Sequence, residues 1–152
     1  MERRVSGTAE MDRFAAEFIA ALSPAGESAA TVLALSGELG VGKTTFTQHV
    51  AKALGVADTV NSPTFVIEKI YQLPLDSARG ENKFSRLVHI DAYRLKGAEE
   101  LKHLGWDEII ADSSNLIIIE WPEHVGEAIP ENAHRIRIAG GEGDARTITY
   151  DS

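Results

Sequence analysis

The sequence predicts an α/β fold, and three observations lead to that prediction. An apolar run, "TVLALSG", leads into the glycine-rich stretch "GELGVGKTT" at 37–45, and a helical pattern follows it. Two more apolar runs, "LVHID" and "LIIIE", each end in an acidic residue. A chain of 152 residues has the size of one domain, so residues 1–152 are predicted to share one core.

The first third of the chain has the pattern of helix, strand, loop and helix. Apolar side chains recur every three or four positions in 8–22, which predicts an amphipathic helix with Thr8 as its cap. The strand at 31–37 precedes the glycine-rich loop. After the loop, another apolar face predicts a helix, and Gly55 is expected to end it.

The rest of the chain is predicted to alternate strands with short helices. Residues 64–73 and 86–95 are typical of strands, and the polar stretch 74–85 between them is expected to be a surface loop. One or two short helices are predicted across 97–112, before the apolar strand "NLIIIE", which we expect to be buried on both faces. The segments "HRIRIAG" and "RTITYD" alternate in period two and predict a closing hairpin at an edge of the sheet.

Charge and composition exclude several classes of function. The formal charge of −8 disfavours binding of RNA or DNA by this chain alone, so a role with nucleic acid is expected to pass through a protein partner. The absence of cysteine excludes disulfides and thiolate metal sites. No apolar run reaches the roughly 20 residues that span a bilayer. The amino terminus lacks a secretory pattern, so we expect a cytoplasmic protein.

The glycine-rich stretch matches G-x-x-x-x-G-K-[ST], the Walker A loop, through Gly37, Gly42, Lys43 and Thr44. Glycines let the backbone point its N–H groups at phosphate oxygens, and the positive end of the following helix adds to that attraction. Lys43 can then reach the β- and γ-phosphates, and the Thr44 hydroxyl can bind Mg²⁺. A chance glycine turn is the alternative, but strand, loop and helix all agree with a phosphate site. We therefore predict that the chain binds a nucleoside triphosphate with Mg²⁺.

Phosphoryl transfer also needs a carboxylate that orients the metal ion or the attacking water. Asp91 and Glu120 each follow a buried strand, at the edge where ligands of α/β sheets bind, so both are expected to face the phosphates. The alternative for either residue is an acid that only hydrates a strand end. Spacing does not decide which of the two is the Walker B acid, and we favour Glu120 by a narrow margin.

Three other side chains each have a functional and a structural interpretation. Thr64 in "NSPTF" fits a switch loop that senses the γ-phosphate, but a Ser-Pro turn that feeds a strand agrees equally well with the chemistry. Trp121 follows Glu120 and is a candidate neighbour of the nucleotide, although packing is the commoner role of tryptophan. His89 is expected to be packed or hydrogen-bonded, since the histidines show no metal-ligand spacing.

In this order and spacing, "GELGVGKTT", "NSPTF", "HIDAYRL" and "IIIEWPE" resemble the TsaE family, also called YjeE, of small bacterial ATPases. The resemblance begins near residue 8 and runs to the C-terminus. It implies a three-layer P-loop NTPase fold whose central sheet is mostly parallel, with antiparallel strands at its edges. The insert 74–85 and the C-terminal tail resemble the family less, except that Arg146 fits a loosely similar terminal strand.

The resemblance also implies roles for individual residues. Lys43, Thr64, Asp91 and Glu120 would be the catalytic residues, Thr64 and Asp91 as switch and metal-side groups and Glu120 in contact with Mg²⁺ or water. Thr44 would join Asp91 and Glu120 at the metal, and Trp121 would lie close to ATP. The phosphates would be held by the loop residues Gly37, Glu38, Leu39, Gly40, Val41, Gly42, Lys43, Thr44 and Thr45.

The function that the resemblance implies is assistance to a tRNA-modifying enzyme. ATPases of this family help to form N6-threonylcarbamoyladenosine at position 37 of tRNAs that read codons beginning with A. The carbamoyl transferase is TsaD, paired with TsaB, and the ATPase docks on that pair and uses hydrolysis to reset it between turnovers. The acidic charge of this chain agrees with docking on protein.

Two other functions stay open at the level of sequence. A small-molecule kinase would use the same loop and acids, with the polar stretch 74–85 as a lid. Three basic residues lie in or beside this stretch, Arg79, Lys83 and Arg86, and an arginine from it could close over the phosphates. A nucleotide-dependent switch would report ATP or ADP through its affinity for a partner. ATP is favoured over GTP only because the guanine-reading Asn-Lys-x-Asp segment is absent from the sequence.

Overall fold

The computed structural model describes residues 1–23, 29–38, 40–56, 68–74, 76–77, 80–81 and 83–150. Strands and helices are interspersed along this part of the chain. In chain order the elements are β1 (Glu2–Ser6), α1 (Gly7–Ala21), β2 (Thr31–Ser36), α2 (Lys43–Ala53), β3 (Glu68–Gln72), β4 (Asp76–Ser77), β5 (Gly80–Glu81), β6 (Arg86–Asp91), α3 (Ala98–Lys102), α4 (Trp106–Ile110), β7 (Asn115–Glu120), a 3-10 helix (Pro122–Ala128), β8 (His134–Gly140) and β9 (Ala145–Tyr150).

The described residues form a central sheet of seven strands in the order β1-β9-β8-β2-β7-β6-β3. The inner pairs β8-β2, β2-β7 and β7-β6 are parallel, whereas β1-β9, β9-β8 and β6-β3 are antiparallel. The expected α/β fold, mostly parallel at its centre with antiparallel strands at its edges, is confirmed. The strands β4 and β5 pair antiparallel in a separate two-stranded sheet inside the stretch predicted as a surface loop.

Helices cover both faces of the sheet, which gives three layers. One core contains residues of α1 and α2, and the other contains residues of α3, α4 and the 3-10 helix. The alternation within β7 shows how one strand serves both cores, since Leu116 and Ile118 belong to the first and Ile117 and Ile119 to the second. Every residue of β7 is buried, as its continuous apolar sequence predicts.

The predicted edge position of the closing hairpin is wrong. The strands β8 and β9 do form the hairpin, but β1 pairs with β9 and takes the edge. Only Val5 is buried in β1, so its sequence has too few apolar side chains to signal a strand. The edge position of β1 depends on backbone pairing between the two ends of the chain, for example between Ser6 and Ala145. No local sequence pattern reveals such pairing.

The two long helices test the predicted caps. Thr8 is not the cap of α1, because Ser6 is its N-cap residue and the carboxylate of Glu10 accepts the Ser6 N–H at 3.2 Å. The prediction that Gly55 ends α2 is confirmed. Gly55 has a φ of +88°, and its N–H donates to the carbonyl oxygen of Lys52 at 3.0 Å, the geometry of a helix that closes on a left-handed glycine.

The remaining elements agree with the predictions where the structure describes them. Of the strand predicted over 86–95, β6 covers the part that ends at Asp91, and α3 and α4 are the short helices expected over 97–112. The first part of the strand predicted over 64–73, with Thr64, lies outside the described residues. No helix in the described part of the chain is long and apolar enough to cross a membrane.

Candidate nucleotide site

The glycine-rich loop lies at the carboxyl end of β2 and leads directly into α2. The neighbouring parallel strands end beside it, because Glu120 in β7 pairs with Leu35 of β2 on one side and with Asp91 of β6 on the other. The loop, the start of α2 and both acids therefore share one edge of the sheet, where ligands of α/β proteins bind. Leu39 of the loop lies outside the described residues.

Three glycines of the loop have backbone conformations that L side chains rarely adopt. The angle φ is +150° at Gly37, +80° at Gly40 and +107° at Gly42. A Cβ atom at Gly37 would lie 2.5 Å from the carbonyl oxygen of Ile138, so a larger residue does not fit there. Gly42 is the N-cap of α2, and its carbonyl accepts the N–H of Phe46 at 2.9 Å. The helix thus begins from a tight glycine turn, as in a phosphate-binding loop.

Lys43, the first residue of α2, is only 5% exposed. Its Nζ donates to the carbonyl oxygen of Gly37 at 2.6 Å and lies 3.7 Å from the centroid of the Trp121 ring. Burial lowers the pKa of Lys43 below its ordinary value, and the carboxylates of Glu120 and Asp91 are among the groups that oppose this change. A buried ammonium whose partners are a neutral carbonyl and an aromatic face is stabilised further when it binds an anion.

The two acids face each other across neighbouring strands but differ in their surroundings. Glu120 is 3% exposed, and its Oε2 lies 2.6 Å from Nε2 of His89. Asp91 is partly exposed, and its Oδ1 accepts the N–H of Tyr93 at 3.0 Å. Burial raises the pKa of Asp91, the N–H of Tyr93 opposes this, and the charge of Glu120 raises it further. The prediction that His89 is packed or hydrogen-bonded is confirmed, and it is both.

Trp121 forms a wall of the site. It is the one non-glycine residue with a positive φ in the described part of the chain, at +59°, and it is the N-cap of the 3-10 helix that starts at Pro122. Its ring contacts Tyr93 and His124 at centroid distances of 5.0 and 5.5 Å, in addition to the Lys43 ammonium. The unusual backbone turn brings the indole over the loop directly after Glu120 ends its strand.

One cavity of about 320 Å³ gathers most of the predicted site. Gly37, Glu38 and Val41 do not line it. The carbonyl oxygen of Gly37 accepts the hydrogen bond from Lys43, and the Val41 side chain is buried in the core. Glu38 is exposed. The residues that do line the cavity are Gly40, Gly42, Lys43, Thr44, Thr45, Asp91, Glu120 and Trp121.

The cavity offers oxygen ligands that suit Mg²⁺, but too few to complete its coordination shell. Thr44 offers a hydroxyl, and Asp91 and Glu120 offer carboxylates, which are the hard ligands that Mg²⁺ prefers. Among the described residues, however, no group of three or more His, Asp or Glu side chains is arranged to hold a metal ion. An ion here would need phosphate oxygens and water to complete its shell, as is usual for Mg²⁺ bound with a nucleotide.

Arg146 in β9 supports the loop from outside the cavity. Its Nε donates to the carbonyl oxygen of Val41 at 2.8 Å, and Nη1 donates to the carbonyls of Gly143 and Ala145. The family resemblance implies for Arg146 only a place in a loosely similar terminal strand. The contact with Val41 spans 105 positions, so only the antiparallel placement of β9 brings it about.

A second cavity, of about 390 Å³, lies on the other side of the loop. Val41, Gly42 and Thr45 line it together with Arg146 and residues at the start of α1, including Thr8 and Met11. It adjoins the first cavity, because Gly42 and Thr45 line both. The two cavities together offer room for a ligand that extends across the loop, with a polar end beside the acids and a less polar end beside α1.

The two described basic residues of the candidate lid, Lys83 and Arg86, do not lie at this site. Lys83 donates to the carbonyl oxygens of Ala20 and Leu22 at the end of α1. Arg86 begins β6 and Asp91 ends it, so Arg86 lies at the end of the strand that is away from the site. Arg79 lies outside the described residues.

Comparison with known proteins adds the family. The sequence profile described as "Threonylcarbamoyl adenosine biosynthesis protein TsaE" matches residues 5–148, a span that contains the loop, both acids and Arg146. The chain belongs to the TsaE family. The resemblance seen in the sequence motifs is therefore confirmed over nearly the whole chain.

Individual relatives agree with the profile. The chain is 41% identical over 117 residues to the "tRNA threonylcarbamoyladenosine biosynthesis protein TsaE" of Streptomyces coelicolor, covering 76% of this chain and 73% of that protein. It is 37% identical over 135 residues to the protein of the same name from Bacillus subtilis, covering 87% and 76%. The crystal structure of Bacillus subtilis YdiB superposes with a TM-score of 0.68 at 28% identity, covering 99% of this chain and 83% of that one.

Proposed function

We propose that this TsaE-family protein is a Mg²⁺-dependent ATPase that assists the TsaB-TsaD carbamoyl transferase pair in forming N6-threonylcarbamoyladenosine in tRNA. Family membership supports the pathway. The observation that carries the ATPase part is the single cavity in which Lys43 and Thr44 of the glycine loop face Asp91 and Glu120. We place this activity in the cytoplasm.

Phosphate binding begins with the loop. The first-turn N–H groups of α2 and the positive end of its dipole attract the phosphates. Lys43 then exchanges the Gly37 carbonyl oxygen for phosphate oxygens, and its burial makes that exchange favourable because an ammonium gains more from an anion than from a neutral carbonyl. Trp121 keeps water from one side of the ammonium.

Thr44, with Asp91 or Glu120 or both, would hold the Mg²⁺ ion that accompanies ATP. The ion supplies charge neutralisation to the phosphates. Of the two acids, we assign the attacking water to Glu120, because a nearly fully buried carboxylate is a stronger acceptor than a solvated one. Asp91 then lies on the metal side of the site.

The cavity beside α1 is our candidate for the base and ribose of the nucleotide. Its volume of about 390 Å³ and its contact with the loop at Gly42 and Thr45 suit the part of ATP that lies beyond the phosphates. Neither Lys83 nor Arg86 is placed to close over that nucleotide, so the kinase alternative loses two of its three candidate lid residues.

The output of the site is a change in a protein complex. The charge of −8 agrees with docking on TsaB and TsaD rather than on tRNA, so any contact with tRNA is indirect. Hydrolysis resets the complex only if the ATP and ADP forms bind the pair with different affinity. A difference between these two affinities also distinguishes a nucleotide-dependent switch from an ATPase whose hydrolysis does not affect the complex.

The test is ATP hydrolysis by the purified chain, alone and with purified TsaB and TsaD. We expect the pair to change the rate several-fold and Lys43→Ala to remove the activity. Lys102→Ala, which removes an exposed lysine from α3, is the matched control and keeps wild-type rates. Hydrolysis that is indifferent to the pair would refute the assisting role, and a phosphorylated small-molecule product would favour the kinase alternative.

A further inference from the structure

His89 is a buried polar residue to which the proposed reaction gives no task. It lies in β6, two positions before Asp91, and it is fully buried. Its Nε2 lies 2.6 Å from Oε2 of Glu120, and that carboxylate is itself almost completely buried. The pair therefore joins β6 to β7 directly beneath the proposed nucleotide site.

The direction of this hydrogen bond follows from the chemistry of the two groups. An ionised carboxylate only accepts, so the imidazole must carry a proton on Nε2 and donate it to Glu120. His89 Nδ1 has no hydrogen-bond partner within the described residues, which fits a bare ring nitrogen better than a second N–H. The structure thus favours one tautomer, with the proton on the nitrogen that faces Glu120.

The surroundings of His89 argue against a purely packing role. Its register partner in β7 is Ile118, and its neighbours along β6 are Val88 and Ile90, all of them buried. An apolar side chain at this position would fill the core without the cost of burying an imidazole and a carboxylate. The cost of burying two polar groups indicates a role beyond packing, and the group that His89 contacts is Glu120.

We propose that His89 is a positioning residue for Glu120, and this proposal rests on the ATPase function proposed above. The final torsion of a glutamate side chain is broad and nearly two-fold, so an unrestrained carboxylate would point its oxygens in several directions. The His89 hydrogen bond fixes Oε2 and leaves Oε1 for the water or metal side of the cavity. Removal of such a supporting partner typically costs about 10–100-fold in activity.

The kinetic test compares three variants of the full-length protein with TsaB and TsaD present. His89→Leu removes the donor and is expected to lower kcat for ATP hydrolysis about 10-fold or more, with KM for ATP within about two-fold. His89→Gln, whose amide can donate from a similar position, is expected to regain most of that loss. Val88→Ala, on the same strand but in the other core, is the control for packing damage and should lower the melting temperature while kcat stays unchanged.

A double variant separates positioning from general loss of structure. If His89 acts through Glu120, then His89→Leu adds almost nothing to the loss already caused by Glu120→Gln. Losses that multiply, or a His89→Leu protein with wild-type kcat, would overturn the proposal. A wild-type protein without any hydrolysis would instead refute the ATPase function itself, so the two failures are distinguishable.

A spectroscopic readout does not depend on hydrolysis. In protein labelled with ¹⁵N-histidine, we expect one slowly exchanging ring N–H at Nε2, because His89 is fully buried. The signal should vanish in His89→Leu and shift in Glu120→Gln. A ring proton found on Nδ1 alone would overturn the proposal, since Glu120 would then have no donor.

Discussion

The parallel strands of the central sheet begin on one side, the amino edge, and end on the other, the carboxyl edge. Both carry charged side chains, but these have different partners. At the amino edge, Arg86 at the start of β6 forms an ion pair with Asp112 and donates to Ser114 and Asn115 at 3.1 and 2.8 Å. At the carboxyl edge, the buried Lys43 donates to a neutral carbonyl. One edge pairs its charges internally, and the other holds a cation and two acids around an open cavity. That contrast distinguishes a structural cluster from a ligand site.

The acids of the two edges show the same difference in their pKa values. Hydrogen bonds from Ser114 lower the pKa of Asp112, with a smaller contribution from Arg86. Burial raises the pKa of Asp91. A carboxylate whose charged form is stabilised by its neighbours supports the fold. A carboxylate whose charged form is destabilised by burial is a candidate for function.

The largest expected effect is at the carboxyl edge. Glu120→Ala should lower ATP hydrolysis by about 100-fold or more, because the water loses its acceptor. The affinity for ATP should change little, since the loop and Lys43 remain. Hydrolysis assays and ATP titrations measure the two quantities separately. Wild-type hydrolysis in Glu120→Ala would transfer the role to Asp91.

The amino edge should respond in stability alone. Arg86→Ala leaves Asp112 and Asn115 without their shared donor, and we expect the melting temperature to fall by a few degrees with kcat unchanged. Arg135→Ala, an exposed arginine on β8, is the matched control and should melt like the wild type. If Arg86→Ala instead lowered kcat at constant stability, the contrast between the two edges would fail.

Asp91→Asn should separate stability from function at one position. A raised pKa in the folded state means that ionised Asp91 costs stability at neutral pH, and the cost fades as the pH falls through that pKa. Metal-free Asp91→Asn should therefore melt slightly higher than the wild type at neutral pH, with the gap closing in acid, while hydrolysis falls. Thermal melts across pH with EDTA measure this, and a lower melting temperature at neutral pH would count against it.

The smallest expected effect lies on the helical face. Asp12 on α1 accepts a hydrogen bond from His49 on α2 at 2.9 Å, and this bond is the main cause of its lowered pKa. Stability from a lowered pKa is complete above the ordinary value for Asp and is lost as the pH falls through the lowered one. Asp12→Asn should thus cost less than about 1 kcal/mol at neutral pH. Denaturant melts should show the difference vanish in acid, and a constant difference would contradict this.

Local patterns were enough to predict the carboxyl edge. The loop, Asp91 and Glu120 were predictable because each signal lies within a few residues: a glycine motif between a strand and a helix, and an acid at the end of an apolar run. Parallel strands then bring those ends together. The structure places most of the described site residues around one cavity. Their roles stay predictions, as do those of Thr64 and Leu39 outside the described residues.

Contacts between distant segments could not be predicted in the same way. The edge position of β1 and the bond from Arg146 to Val41 depend on antiparallel pairing between the two ends of the chain. The contact of His89 with Glu120 was predictable only in part. Strand periodicity puts His89 on the same face of β6 as Asp91, two positions away. Its partner became known only from the register of β6 with β7.

The central claim is that the loop and the acid end of the sheet form one Mg²⁺-ATP site. The most direct measurement is a calorimetric titration of Mg²⁺-ATP into the wild type, Lys43→Ala and the exposed control Lys102→Ala. We predict saturable binding by the wild type and by Lys102→Ala, and affinity weakened by about 100-fold or more in Lys43→Ala. Equal affinity of Lys43→Ala and the wild type would contradict the claim.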